Sequence, residues 1–275
     1  MTRVAVVGCG PAGLAAAHAA HGHGASVTIF SPGEPSPQAG PLLLQRPIPG
    51  ITTSHPHGYI KQLVIGGSIL DYRYKLYGDI NININGNILQ PGYAAWDHFA
   101  AYRAMWDLYM REDGDRVRRV TCQFSGPGLA EISRSGEWDL IVSTAPLNRL
   151  CFNWDHEFTS AAVVVTPRAE YPDQPDDTII FNAGDEYPWV RSSRIFGNEV
   201  TEWLPGTQLT SHAIALPGSR TVRKPISTDC NCFPMVLLTG RFGSWRNETW
   251  VPDAYYDTLT ALVSIDRNHE WESVR

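Results

Sequence analysis

Arg3–Val7 (RVAVV) is an almost unbroken apolar run that stops at a glycine. That is the pattern of a short strand covered on both faces. Ala12–His21 is dominated by Ala and Leu and predicts a helix. Ala25–Phe30 (ASVTIF) is rich in β-formers and predicts a second strand. Strand, helix and strand within about thirty residues make a crossover, which requires parallel pairing. From Ser31 to Ile51, prolines at 32, 35, 37, 41, 47 and 49 predict a loop. Tyr72–Ile84 alternates in part and predicts a strand. Trp96–Met110 predicts an amphipathic helix with Trp96, Phe99, Met105, Trp106 and Tyr109 on one broad face. Arg116–Phe124 and Leu129–Arg134 predict a hairpin about Ser125–Gly128. Asp139–Thr144, Ala161–Thr166, Thr178–Asn182 and Met235–Thr239 predict further strands. A last helix is predicted from about Pro252 through Tyr255, Leu259 and Leu262, with the proline suited to its first turn. The expectation is an α/β chain: a parallel nucleotide-type sheet plus a smaller inserted α+β region.

Composition narrows this picture only in places. The chain has 275 residues, 43% of them hydrophobic, enough to bury a sizeable core. Its charged fraction of 18% is low while it carries 9 Trp and 11 Tyr, which points to much buried aromatic surface. A net charge of −6 gives no general reason to expect nucleic acid or an anionic membrane as partner. The five cysteines are sparse and odd in number, so no disulfide framework is expected. Neither a secretory leader nor an apolar run of membrane-spanning length is found, and a cytoplasmic location is the default expectation.

The chemistry begins at Gly8-Cys9-Gly10-Pro11-Ala12-Gly13, which has the G-x-G-x-x-G spacing between an apolar strand and an Ala-rich helix. The first glycine allows the tight turn. The second lets backbone approach a pyrophosphate, and the third lets helix and strand pack closely. The helix start offers unpaired N–H groups and a positive dipole end to the phosphates. Second strands of this kind usually end in an acid that binds the ribose hydroxyls; here Ser31 stands at that place, with Glu34 following. Arg46 is the nearest downstream arginine. By itself the motif fits either FAD or a nicotinamide dinucleotide.

Three later segments resemble flavoproteins of the UDP-galactopyranose mutase and amine-oxidase-like superfamily with two dinucleotide folds. Asp139–Pro146 (DLIVSTAP) resembles the strand returning to the FAD sheet. Pro188–Glu202 (PWVRSSRIFGNEVTE) resembles a segment that brings an arginine near the flavin. Gly240-Arg241-Phe242-Gly243, Trp245 and the final helix resemble the C-terminal FAD motif. The resemblance implies FAD held by Gly8, Gly10, Pro11, Ala12 and Gly13, with Ser31 and Arg46 nearby. It places Gly240 and Arg241 at the pyrophosphate and ribityl chain, and backbone from Val251 to Ala254 at the flavin. Ala39-Gly40 is the nearest match to that superfamily's glycine pair after the second strand. The chain is short for the superfamily. Similar short chains occur in bacteriophages, which keeps oxidation of a modified DNA base open as an alternative.

The resemblance further implies an FAD domain formed by residues 1–48, 112–150 and 230–275, with a substrate region of 49–111 and 151–229. The expected activity is hydride transfer from a C–H beside an amine or hydroxyl of a small molecule to flavin, and a homodimer is the oligomer that could complete the site. A UDP-sugar mutase-like flavoprotein without net redox turnover, and a nicotinamide-dependent reductase, are the alternatives. Arg191 and Arg194 are candidates for binding a carboxylate or phosphate. Trp189 and Trp203 are candidates for a pocket wall, and His57, with His55 close by, for proton transfer. No metal site is expected, because the H-x-H pair has no adjoining carboxylates or cysteines. Cys230 and Cys232 are expected as free thiols, because C-x-C strains a disulfide loop.

Overall fold

The computed structural model describes residues 1–33, 43–82, 92–111, 116–206 and 217–273. Glu34 and Ala39-Gly40 lie outside the described residues.

The chain is an α/β protein of two sheets. The first runs β1 (Arg3–Val7), α1 (Pro11–Gly22) and β2 (Ser26–Ser31), and later adds β6 (Val117–Thr121), β7 (Leu140–Ser143) and β13 (Leu237–Leu238). Its order is β13-β7-β1-β2-β6, with every pair parallel. Val4, Val6, Val27, Ile29 and Val142 fill its core against α1. The 23-residue terminal helix α7 (Val251–Ser273) covers α1, with Ala254 and Leu262 fully buried.

The second sheet has eight strands in the order β12-β8-β11-β10-β9-β4-β5-β3. These are β3 (Leu43–Leu44), β4 (Gly58–Ile65), β5 (Tyr93–Asp97), β8 (Phe158–Thr166), β9 (Thr178–Asn182), β10 (Trp189–Ile195), β11 (Asn198–Trp203) and β12 (Arg220–Thr228). Its pairs are antiparallel except β4 with β9. Period-two alternation separates its faces. Val163, Ile179, Phe181 and Val190 pack on one, with Tyr72 and Leu76. Val164, Ile180, Trp189 and Trp203 pack on the other.

Four expectations fail locally. Tyr72–Ile84 is no strand where it is described: α2 (Ile69–Tyr77) occupies its first half. Ser68 and Asp71 form a reciprocal capping box, and Gly78 closes the helix with φ 72°. The alternation that suggests a strand also places Tyr72 and Leu76 four residues apart on one buried helical face. The helix predicted from Trp96 starts at His98 (α3, His98–Tyr109), because the Asp97 carboxylate accepts from Phe99 and Ala100; Trp96 belongs to β5. The predicted hairpin after Arg116 is β6, parallel to β2, followed by a helix, α4 (Gly126–Arg134). Ser125 caps it and Pro127 fits its first turn, so the Ser-Gly-Pro-Gly run is a helix start. The strand predicted over Met235–Thr239 shrinks to the two residues of β13.

Candidate functional site

The phosphate turn lies at the C-terminal ends of β1 and β7, where ligands of parallel α/β sheets bind. Its glycines perform different tasks. A Cβ on Gly13 would stand 2.0 Å from the Gly8 carbonyl oxygen, so α1 can seat on β1 only without a side chain there. A Cβ on Gly10 would meet nothing within 4 Å, leaving the backbone open for a phosphate to approach. Gly10 is also the N-cap of α1 and supplies no side-chain cap, so the helix start remains available to an anion. The C-terminal motif folds directly onto this turn. Gly240, with φ 71°, begins α6 (Gly240–Gly243), and a Cβ there would come within 2.6 Å of Ala12 Cβ. Motifs more than two hundred residues apart in sequence thus share one backbone cradle.

Around this cradle, Ser31 is buried and its hydroxyl is already engaged: it donates to the Gly33 carbonyl (2.6 Å) and accepts from the Cys9 thiol (2.9 Å). Arg46 pairs with Asp253 and lies 4.5 Å over the Tyr256 ring, so it ties the β3 loop to the first turns of α7. Val251 is the first residue of α7 and half-buried. Tyr102 donates to the Cys9 carbonyl (3.4 Å) and stacks on His98. His98 is 1% exposed, and neither ring nitrogen has a hydrogen-bond partner among the described residues. Burial brings its pKa down to about 4, so the ring is neutral near pH 7.

The second sheet places a charged cluster on the face that α2 covers. Glu202 on β11 accepts from Arg191 on β10, its cross-strand partner, and from Lys224 on β12. The side chains of Glu202 and Lys224 are 5% and 9% exposed, whereas that of Arg191 keeps 33%. The cluster is therefore closed at the Glu–Lys pair and open at the arginine. Arg241 of α6 reaches it from the side of the first sheet and interacts with Tyr77, Glu202 and Arg191. Tyr72 and Tyr93 complete the surroundings. Burial, opposed by Glu202 and reinforced by Arg191 and Arg241, takes Lys224 down to about 7. Burial by itself would raise the Glu202 carboxyl, but Arg191 and Lys224 outweigh it and hold the carboxyl low. Three cationic side chains thus surround one carboxylate. The Nε atoms of Arg191 and Arg241 are covered and have no acceptor among the described residues.

The other candidates lie elsewhere. Arg194 projects from the opposite face of β10, with its Nε 2.9 Å from Glu199 and its Nη1 donating to the Gln174 carbonyl (2.6 Å). Trp189 is 1% exposed and stacks on Tyr187 beside Tyr171 and Trp203, again away from Arg191. Trp203 Nε1 donates to Thr166 Oγ1. His57 is exposed with its ring edge-on to Phe196, and His55 is exposed one turn earlier.

Glu202, Lys224 and His98 are absent from the sequence reading, although two left a signal. In Val222-x-Lys224-x-Ile226 and Val200-x-Glu202, a charge interrupts an apolar stripe of period two. A charge in such a place is expensive unless paired. His98 left no such mark, since only the fold buries it.

Comparison with known proteins agrees with this geometry. Residues 3–39 match the family model described as an FAD binding domain. No curated protein sequence matches the chain. Among solved structures, a reduced UDP-galactopyranose mutase aligns with TM-score 0.53 and 12% identity, covering 98% of this chain and 96% of its own. The flavin-dependent halogenase CmlS aligns with TM-score 0.51 and 16% identity over 97% of this chain and 58% of its own. A flavoprotein/dehydrogenase from Cytophaga hutchinsonii aligns with TM-score 0.50 and 11% identity over 97% and 79%. The fold is that of the Rossmann-like flavoproteins. Its cofactor is FAD, and the open Gly10 turn joined to Gly240 fits that group.

Proposed function

We propose that this flavoprotein is an oxidoreductase that removes a hydride from a C–H bond beside the amine of an amino-acid-like substrate. When bound, FAD supplies the hydride-accepting chemistry. The chain's own residues would bind, orient and set protonation. Arg191 and Arg241 offer guanidinium N–H donors, two of which are covered and lack an acceptor. An unmet buried donor costs about 1–3 kcal/mol, which a substrate carboxylate would recover with a charge-assisted bond. A carboxylate held there would bring its α-carbon between the second sheet and the Gly240–Arg241 turn. Hydride removal needs the neutral amine. The cationic surroundings, Lys224 among them, disfavour an ammonium, whose proton would pass to solvent on the open, arginine side of the cluster. Glu202 holds Lys224 in place.

The observation that carries this reading is the excess of cationic groups over carboxylate where α6 meets the second sheet. The test is anaerobic mixing of the yellow protein with a panel of free amino acids, amines and hydroxy acids, following bleaching of the flavin band. Bleaching by amine-bearing carboxylates, slowed at least tenfold in Arg191→Met with FAD retained, supports the reading. Failure of every donor, together with turnover of a UDP-sugar only after chemical reduction, would establish the mutase-like alternative, whose diphosphate the same arginines could bind.

A further inference from the structure

Cys151, His156, Cys230 and Cys232 come together with their four ligand atoms all within 4.8 Å of one another. The Cys151 and Cys232 sulfurs are 3.8 Å apart, and His156 Nδ1 lies 3.3 Å and 3.5 Å from them. These spacings can be compared with a tetrahedral zinc ion. Bonds of about 2.3 Å to sulfur and about 2.0 Å to nitrogen give tetrahedral edges of about 3.8 Å between sulfurs and about 3.5 Å from sulfur to nitrogen. The sulfur separation is far too long for a disulfide, whose bond is about 2.05 Å, and all the cysteines of the cluster are free thiols.

We propose that these four side chains form a structural zinc site of the Cys3His type, a site independent of the flavin reaction. Three thiolates and an imidazole satisfy a closed four-coordinate site and leave no open position for substrate. The surroundings hold the ligands in place without the ion. Asn153 lies 3.2 Å from the other ring nitrogen of His156. Asp229 accepts from the Glu157 amide (2.8 Å), and Thr228 donates to the Glu157 carbonyl (2.7 Å). Phe152 and Phe233 meet edge to face at 5.8 Å.

The location explains what the ion would do. Cys151 and His156 lie where the chain leaves the first domain, between α5 (Leu147–Leu150) and β8. Cys230 and Cys232 lie where it returns, between β12 and β13. One ion would join the two strands of the stem that carries most of the second sheet. Phe233 and Val236, just beyond the ligands, pack in one cluster with Trp245, which follows the Gly240–Arg241 turn. The site thereby also braces the return path to the cofactor.

The test is metal analysis of the full-length flavoprotein purified without chelators. The expected result is about one zinc per chain, with cobalt replacement giving thiolate–cobalt bands to the red of the flavin spectrum. Cys230→Ser and Cys232→Ser should lose the metal, while Cys122→Ser, altering a cysteine outside the cluster, should keep it. Should the serine variants fail to fold, the wild-type protein suffices: a strong chelator should lower its melting temperature and expose three more thiols to a colorimetric reagent. Absence of stoichiometric metal, whether the three thiols are then freely reactive or joined in a disulfide by mass, would overturn the proposal.

Discussion

At the phosphate turn the chain makes its site by omitting side chains. Gly10 leaves open backbone, Gly13 lets α1 seat against the Gly8 carbonyl, and Gly240 lets its turn seat against the Ala12 side chain. On the second sheet the charged cluster is built from side chains, with Arg191, Glu202 and Lys224 arriving from three strands and Arg241 from α6. The first site is steric, so its tolerance is set by ångströms at single positions. The second is electrostatic and assembled at long range, so its tolerance is set by charge balance.

The most severe way to break the comparison is to fill the steric site. Gly13→Val pushes atoms into backbone that cannot yield. It should cost on the order of 4–5 kcal/mol, at the exceptional end of single substitutions, and give insoluble or colourless protein. Gly10→Ala is its counterpart. The added methyl meets nothing, so the melting temperature of the cofactor-free protein should hardly change while FAD affinity falls. Equal losses of stability in the two variants would contradict the division of labour between them.

Next is the charge balance. Glu202→Ala strands Arg191 and Lys224 without their carboxylate and should cost about 3–5 kcal/mol in urea unfolding. Lys224→Met leaves the Arg191–Glu202 pair intact and should cost much less. A Lys224→Met variant as unstable as Glu202→Ala would show that the lysine, not the carboxylate, organises the cluster.

A smaller effect is read by pH. The His98 pKa is lowered from 6.5 to about 4 by burial, so between those values the unfolded chain binds more protons than the folded one. The stability tied to His98 is fully present above pH 6.5 and is lost as pH falls toward 4. At about 1.4 kcal/mol per pKa unit the change is roughly 3 kcal/mol. His98→Phe should remove that slope from the stability profile, and an unchanged slope would mean the ring is charged when folded.

The smallest expected effect is local. Ser68→Ala removes the cap of α2, the helix that carries Tyr72 and Tyr77 to the charged cluster. It should cost about 1 kcal/mol while leaving FAD content unchanged. A loss of FAD in this variant would couple the two regions more tightly than their construction suggests.

The sequence by itself determined the parallel crossover, the phosphate turn and the terminal helix, since apolar runs, glycine spacing and a first-turn proline act over short stretches of chain. It misassigned Tyr72–Ile84 because YRYKLY satisfies both a period of two and an i, i+4 face, and only the Ser68–Asp71 box decides between them. It could not separate Arg191 from Arg194, three residues apart on one strand. The pleat turns them to opposite faces, and only the second sheet's packing shows which face looks toward Arg241. Nor could it find the cysteine and histidine cluster, whose halves are about eighty residues apart and meet only because the chain leaves and returns at the two ends of the β8–β12 segment. Backbone geometry is written locally in residue type, whereas charge pairing and metal coordination depend on which distant strands become neighbours. That was decided by the tertiary structure alone.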